Sequence, residues 1–309
     1  MSLNLDAPTL QWTDAAAKAL GQQYTNVSLG GLLSGPLKID EAFYNLSYQL
    51  GRRSNDLQSL LNTSDNGLTT SGISPDSATR LLNILRAKGI PLSPHTSVSN
   101  RTSDNGSLLA TINLAPPASR IGAAYALTFN GSASRTAPAG GSISELPGHS
   151  GERTSWNGGV QGRHSGYFDS GILSGFLTET NVTLGGSHNE GTPYLDLPSG
   201  SVRINSRLSD GTTGLKSVSF GGSPFLGTSQ SNSSAGYVNT LSWFSKNNKH
   251  RLKFTSELRR DAFDQDQTTN QLGSFSYNSL ADLEAGRASS FTRQLSPRVR
   301  SGSQTVGAI

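Results

Sequence analysis

Five histidines, His95, His149, His164, His188 and His250, are the first residues to test for chemistry. None falls in an H-x-x-x-H or H-E-x-x-H spacing, so no helix face brings two imidazoles onto one metal. They read as loop or lumen residues. "GHSGE", Gly148–Glu152, has a serine between glycines, but its second glycine comes one position too early for the G-x-S-x-G elbow. "GGLLSG" and "FGGSPFLG" are glycine-rich without a strand-to-helix junction or a Walker lysine, so neither cradles phosphate. "RRDAFDQDQ" offers Asp261, Asp264 and Asp266, yet lacks the glycine and terminal glutamate of a calcium loop. It reads as a solvated loop. The chain has no cysteine, hence no thiolate ligand and no disulfide framework. These residues name no catalytic site, no metal and no cofactor, and the expectation is a protein that is not an enzyme.

A different set of charged residues is patterned. Arg203 and Arg207 alternate with Val202, Ile204 and Leu208, and Lys253, Glu257 and Arg259 alternate with Leu252, Phe254 and Leu258. Tyr44, Leu46 and Tyr48 alternate with Asn45 and Ser47. A period of two is a strand with one apolar and one polar face. Either a protein core or lipid would cover the apolar side.

Composition bears on that choice. Charged residues make up 15% of the 309 and hydrophobic residues 33%, against about 25% charged in soluble domains. Uncharged polar residues fill the difference, which suits strands wetted on one face. The net charge of +4 is small for this length, and the densest basic cluster, Arg293, Arg298 and Arg300, has only Phe291 beside it. Nucleic acid is therefore not an expected partner. No run approaches the ~20 apolar residues of a spanning helix, and "MSLNLDAPTL" has no basic segment followed by an apolar one, as a signal peptide would.

Two segments read as helical. "TDAAAKALG" is the weaker. "SPDSATRLLNILRAKG" has Ser74 as cap, Pro75 in the first turn and Gly89 after the end, with Ala78, Leu81, Leu82 and Leu85 on one face. This predicts a helix over 75–88 whose face covers a small satellite core. The remainder reads as about eleven strands, and their connections alternate short and long. "GPLKIDE", "APPASR", "FDSG", Asp210–Gly211 and "KNNK" are short. Residues 51–106, 131–154, 185–199 and 222–235 are long. Short turns at one end and long loops at the other mark an up-and-down outer-membrane barrel, whereas a Greek-key sandwich has no reason to keep that parity.

"GGLLSGPLKIDEAFYNLSYQLGRR", with Gly35, Pro36, Lys38, Asp40, Phe43 and Tyr44, resembles the early barrel of TonB-dependent outer-membrane receptors. The likeness is to the Oar-like subgroup, which has a carboxypeptidase-regulatory-like N-terminal domain. "TPYLDLPSGSVRINS", "LSWFSKNNKHRLKFTSELR" and "GSFSYNSLADLEAGRASSFTRQLSPR" resemble later barrel segments of the same subgroup. The resemblance implies an all-β antiparallel transmembrane barrel segment with long extracellular loops. It also implies energised uptake of a bulky nutrient, with the TonB complex acting through a plug, and outer-membrane lipid as the surrounding solvent.

The expected layout is a first hairpin over 24–50, a long extracellular loop over 51–106 containing the helix, and further barrel hairpins over 107–309. Signal peptide, plug and closing C-terminal strands are expected to lie outside the chain. Tyr44, Leu46, Tyr48, Val202, Ile204, Leu208, Leu252, Phe254 and Leu258 are expected to face lipid. Arg203, Arg207, Lys253, Glu257 and Arg259 are expected to face the lumen, and Asn247–Asn248 the periplasm. The residues leave one alternative open: a surface-exposed or secreted β-domain for binding or adhesion, with the apolar parity buried in its own core.

Overall fold

The computed structural model describes residues 1–11, 23–94, 100–115, 122–168, 175–207, 211–245 and 249–309. Ten strands form one antiparallel sheet: β1 (Ser2–Asp6), β2 (Tyr24–Lys38), β3 (Ala42–Asp56), β4 (Asn100–Leu114), β5 (Ala124–Ala137), β6 (Gly151–Phe168), β7 (Phe176–Pro193), β10 (Ser229–Phe244), β11 (Arg251–Asp266) and β14 (Val299–Ala308). Every strand pairs with the next strand of this sheet, in chain order. The sheet is open, and β1 and β14 are its edges. The β2–β3 hairpin closes over three residues. Asp40 takes φ 62°, a left-handed position an aspartate tolerates, and Lys38 Nζ meets Glu41 Oε2 at 2.6 Å.

The long connections all leave the opposite end of the sheet from that hairpin. Four of them build a second body. It contains a four-stranded sheet in the order β13 (Ser290–Thr292), β12 (Ser274–Tyr277), β8 (Ser199–Arg207), β9 (Thr213–Gly221), with β12 parallel to β8. Three helices join it: α1 (Asp65–Thr70), α2 (Pro75–Ala87) and α3 (Leu280–Ala285). We call this body the cap and the ten-stranded sheet the wall.

The cap holds the hydrophobic core. Leu60, Leu68, Ile73, Ala78, Leu81, Ile84, Leu85, Leu146, Val202, Ile204, Val218, Phe220, Leu280 and Leu283 form one buried cluster. Each such burial is worth about 1.5–3 kcal/mol for a large side chain. Helix α2 forms where its apolar spacing predicts it, with Ser74 at the N-cap position but making no side-chain capping hydrogen bond. It ends at Ala87, with Gly89 at φ 69°, and Ala78, Leu81 and Leu85 are buried as the spacing requires. The helix face thus serves a larger core than a satellite cluster.

Several expectations change here. Val202 and Ile204 do not face lipid. They are 0% and 1% exposed, on the core side of β8, against the helices. Arg203 lies on the opposite, exposed side of that small sheet, so it does not line a lumen enclosed by the wall. Arg207 ends the same strand, β8, and is likewise not a wall residue. The physical reason is shared: a period of two is the same whether a cap core or a membrane covers the apolar side. β3 runs on to Asp56 and β4 begins at Asn100, so the 51–106 loop is shorter than expected. The 107–309 stretch is not all wall, because it supplies the small sheet. Leaving out the β8–β9 pair removes two strands together, so the short–long alternation survives. β1 and β14 were not among the expected strands. Leu208, Asp210, His95, Asn247–Asn248 and the helix expected over 13–21 lie outside the described residues.

Candidate functional site

The wall presents two chemically different faces, traced by the cross-strand register. One face carries Leu29 and Leu33 on β2, Tyr44, Leu46, Tyr48 and Leu50 on β3, and Leu108, Ala110 and Ile112 on β4. It continues through Leu127 and Phe129 on β5, Trp156 and Val160 on β6, and Val182 and Leu184 on β7. It ends with Tyr237, Leu241 and Trp243 on β10 and Leu252, Phe254 and Leu258 on β11. Leu252, Phe254 and Leu258 are 66%, 51% and 53% exposed. Among the described buried apolar residues, Ala42 alone belongs to the wall. No protein core covers this face.

Aromatic rings cover glycines on it. A Cβ at Gly31 would lie 2.7 Å from the Tyr48 ring across the strand pair, so only glycine lets that ring lie flat. Gly106, Gly131, Gly158 and Gly186 help line a shallow apolar depression of about 980 Å3 beside Tyr48, Phe129 and Trp156. The face is not apolar throughout. Asn239 sits on it and satisfies itself locally, its Nδ2 donating to Thr180 Oγ1 at 2.8 Å and Thr178 Oγ1 at 3.1 Å.

Toward the cap this face changes character abruptly. Arg52, Asp104 and Arg135 occupy neighbouring register positions on β3, β4 and β5. Arg52 Nε donates to Asp104 Oδ1 at 2.6 Å, and Arg135 Nη2 donates to Glu152 Oε2 at 2.7 Å. The sequence reading missed this charged row. Its signal was present: on the parity of Tyr44–Leu50 the next position is a charge, and the partner strands do the same.

The other face is a polar ladder. Asn157 Nδ2 donates to Ser132 Oγ at 2.8 Å, Gln161 Nε2 to Asn181 Oδ1 at 3.0 Å, and Asn232 Nδ2 to Ser187 Oγ at 3.2 Å. The hydroxyls of Ser134 and Ser155 lie 2.8 Å apart. Lys253, Glu257 and Arg259 share this face, and Arg259 Nε donates to Asp261 Oδ2 at 2.7 Å. Leu32, Phe43, Leu109, Tyr167, Leu177, Val238 and Phe263 are apolar exceptions.

The other sequence-level candidates do not converge. Asp261, Asp264 and Asp266 belong to β11 rather than to a loop. Asp261 is on the polar face and the other two are on the opposite one. His164 stacks beside Tyr125 with ring centroids 4.8 Å apart, and His188 Nδ1 shares a 2.8 Å hydrogen bond with Ser231 Oγ. His149 is in the cap. Burial pushes its imidazole down from the ordinary histidine range, opposed by Glu145 and by hydrogen bonds to the Phe220 and Gly222 backbone. Ser150 Oγ is buried with no hydrogen-bond partner, so the adjacent imidazole does not activate it. No cluster of three or more metal-ligating side chains occurs among the described residues.

The wall and cap together have a counterpart among solved structures. The fold is similar to part of a solved outer-membrane transporter. The chain resembles the crystal structure of the outer membrane transporter YddB from Escherichia coli, with a TM-score of 0.51 and 14% sequence identity over 94% of this chain. It spans about a third, 32%, of that transporter's chain. At this identity the likeness shows the fold alone. No protein-family model matches the sequence, and no curated protein matches it. No helix among the described residues is long and apolar enough to cross a membrane.

Proposed function

We propose that the chain is a wall segment, with its extracellular cap, of a TonB-dependent outer-membrane receptor that takes up a bulky nutrient. One observation carries the reading: no core among the described residues covers the wall's apolar face, while its opposite face is mostly polar side chains hydrogen-bonded to one another. That is the inverse of a soluble β-domain and the arrangement of a barrel in lipid. From Ala42 to Leu50 the apolar parity of β3 extends about 26 Å at ~3.3 Å per residue, comparable with the ~25 Å apolar band of such barrels. Under this reading the charged row at Arg52, Asp104 and Arg135 marks the outer boundary of that band, and the cap lies outside the cell.

The finer assignment to the Oar-like subgroup rests on the quoted barrel segments. The likeness to a transporter's fold supports the broader one. The TonB complex would act through a plug supplied elsewhere, and the open edges at β1 and β14 would pair with further strands, because unpaired edges are not viable in lipid. The role is passage rather than covalent chemistry, so the chain is read as no enzyme.

The cysteine-free sequence makes the test direct. Phe129→Cys and Thr128→Cys place a thiol on opposite faces of one strand. In lipid vesicles carrying the chain together with the strands that pair its edges, a water-soluble maleimide should label the Thr128→Cys protein and spare the Phe129→Cys protein. Equal labelling of both, or a monodisperse protein without detergent, would overturn the membrane reading.

A further inference from the structure

The cap meets the polar face of the wall at a cavity of about 490 Å3, within the range of small-ligand sites. Five separate stretches of chain build it. Asn55–Gln58 come from the end of β3 and the residues after it, Thr70–Ser71 from the end of α1, Arg101 from the start of β4, Gly141–Ser144 from the β5–β6 connection, and Lys216 from β9. Asn55 and Arg101 are register partners on the polar parity of the wall.

The two cations are placed by the backbone rather than by acids. Arg101 Nη2 donates to the carbonyls of Gly140 and Gly141, the latter at 2.8 Å. Those carbonyls can turn toward it because both glycines take left-handed φ, 108° and 93°. A Cβ at Gly141 would also lie 3.2 Å from Leu57 Cδ1 and from Ser150 Oγ. The Gly141 N–H is in turn held by Glu145 Oε2 at 3.0 Å. Arg101 Nε is buried without a hydrogen-bond partner. Lys216 Nζ donates to the Ser71 carbonyl at 2.5 Å. Among the described residues neither cation forms an ion pair with a carboxylate. The rest of the lining is hydroxyl- and amide-bearing, with Leu57 and Ile143, one exposed carboxylate, Asp56, and no aromatic ring.

Two cations that no carboxylate pairs, against the single Asp56, leave the lining net positive, and with its serine, threonine and amide groups this suits an anion that carries its own hydroxyls. The absence of an aromatic platform among the lining residues disfavours a flat, stacking ligand. We infer that this cavity binds a small polyhydroxylated carboxylate, with its carboxylate on Arg101 and Lys216. The inference rests on the transport reading for its biological meaning, since it names the class of solute held between cap and lumen face. The binding itself can be tested apart from it.

The experiment is titration calorimetry on the full chain in detergent micelles, with gluconate as probe and sorbitol as its uncharged counterpart. Gluconate should bind and sorbitol should not. Lys216→Gln should weaken gluconate at least about tenfold, the usual cost of a lost charged hydrogen bond, as should Arg101→Gln. Arg203→Gln, on the outer side of the small sheet, should leave it unchanged. Arg101→Gln loosens the glycine turn and can misfold the cap, which circular dichroism would report. Lys216→Gln gives up one backbone contact and keeps the test decisive in that case. Equal binding of sorbitol, no binding of gluconate, or gluconate binding indifferent to Lys216→Gln overturns the proposal. A chain that passes the cysteine-labelling test yet ignores gluconate refutes the cavity alone. One that binds gluconate yet fails that test refutes the membrane reading alone.

Discussion

The β8 strand of the cap and the β11 strand of the wall carry the same alternation and meet opposite surroundings. Val202 and Ile204 are sealed against α2 and α3, while Leu252, Phe254 and Leu258 have no protein over them. The cap is organised as soluble domains are, around a shared apolar interior. The wall is organised inside out. Its polar residues bond to one another across strands on one side, and its apolar residues look outward on the other. Stability must therefore come from different sources in the two regions. The cap depends on packing, and the wall on backbone ladders and on whatever solvent touches its apolar face.

The largest expected effect separates them by packing. Leu81→Ala should cost the cap about 2–5 kcal/mol, the range for emptying a buried leucine site. Hydrogen exchange at α2 in detergent would measure it, and wall amides should barely respond. Leu252→Ala, the same kind of truncation on the wall, should leave α2 exchange unchanged. A neutral Leu81→Ala would break the contrast at its core.

A charge on the apolar face comes next. Phe129→Lys should cost about 2–4 kcal/mol in a bilayer if Phe129 lies near mid-depth, read as lost folding into vesicles by denaturant titration. Thr128→Lys, one residue away on the polar face, should be close to neutral. Equal costs would mean that both faces see the same solvent.

Smaller again is the pH dependence of the cap. His149 in the folded cap has its pKa below the ordinary value because burial disfavours the cation. As pH falls through about 6.5, the unfolded chain takes up this proton before the folded one does. Stability should therefore be fully present above that value and be lost as pH falls from it toward the folded pKa. The His149→Gln protein should lose this part of the slope. A slope of opposite sign at His149 would show that Glu145, rather than burial, governs the ring.

The smallest effect belongs to the charged row. Arg52 and Asp104 are ion-paired, with Arg52 largely exposed and Asp104 half-buried, so Arg52→Gln should cost only about 0.2–1 kcal/mol, and less in high salt. A much larger loss would place the row within the apolar band instead of at its boundary.

These differences mark how far the sequence could be read. Helix α2, the short–long parity of the connections and the two faces of the wall hairpins were legible, since capping, spacing and period two are local properties. The β2–β3 hairpin was equally legible, its turn lying close to where "GPLKIDE" places it. The charged row was visible only in outline, because it exists by virtue of register between strands, its Arg52 and Asp104 lying 52 residues apart. The cavity between cap and wall was not legible at all. Arg101 and Lys216 are far apart in the chain, and neither belongs to a motif.

The sequence alone determined that the chain is mostly antiparallel strands with one polar and one apolar side, carrying one amphipathic helix. Those outcomes depend on residues within a few positions of one another. Only the tertiary structure decided which apolar sides share a core and which remain uncovered. Alternation records that a strand has two faces, and what each face touches is set by distant segments. The long connections, gathered at one end of the wall, buried Val202 and Ile204 and left Leu252, Phe254 and Leu258 in the open.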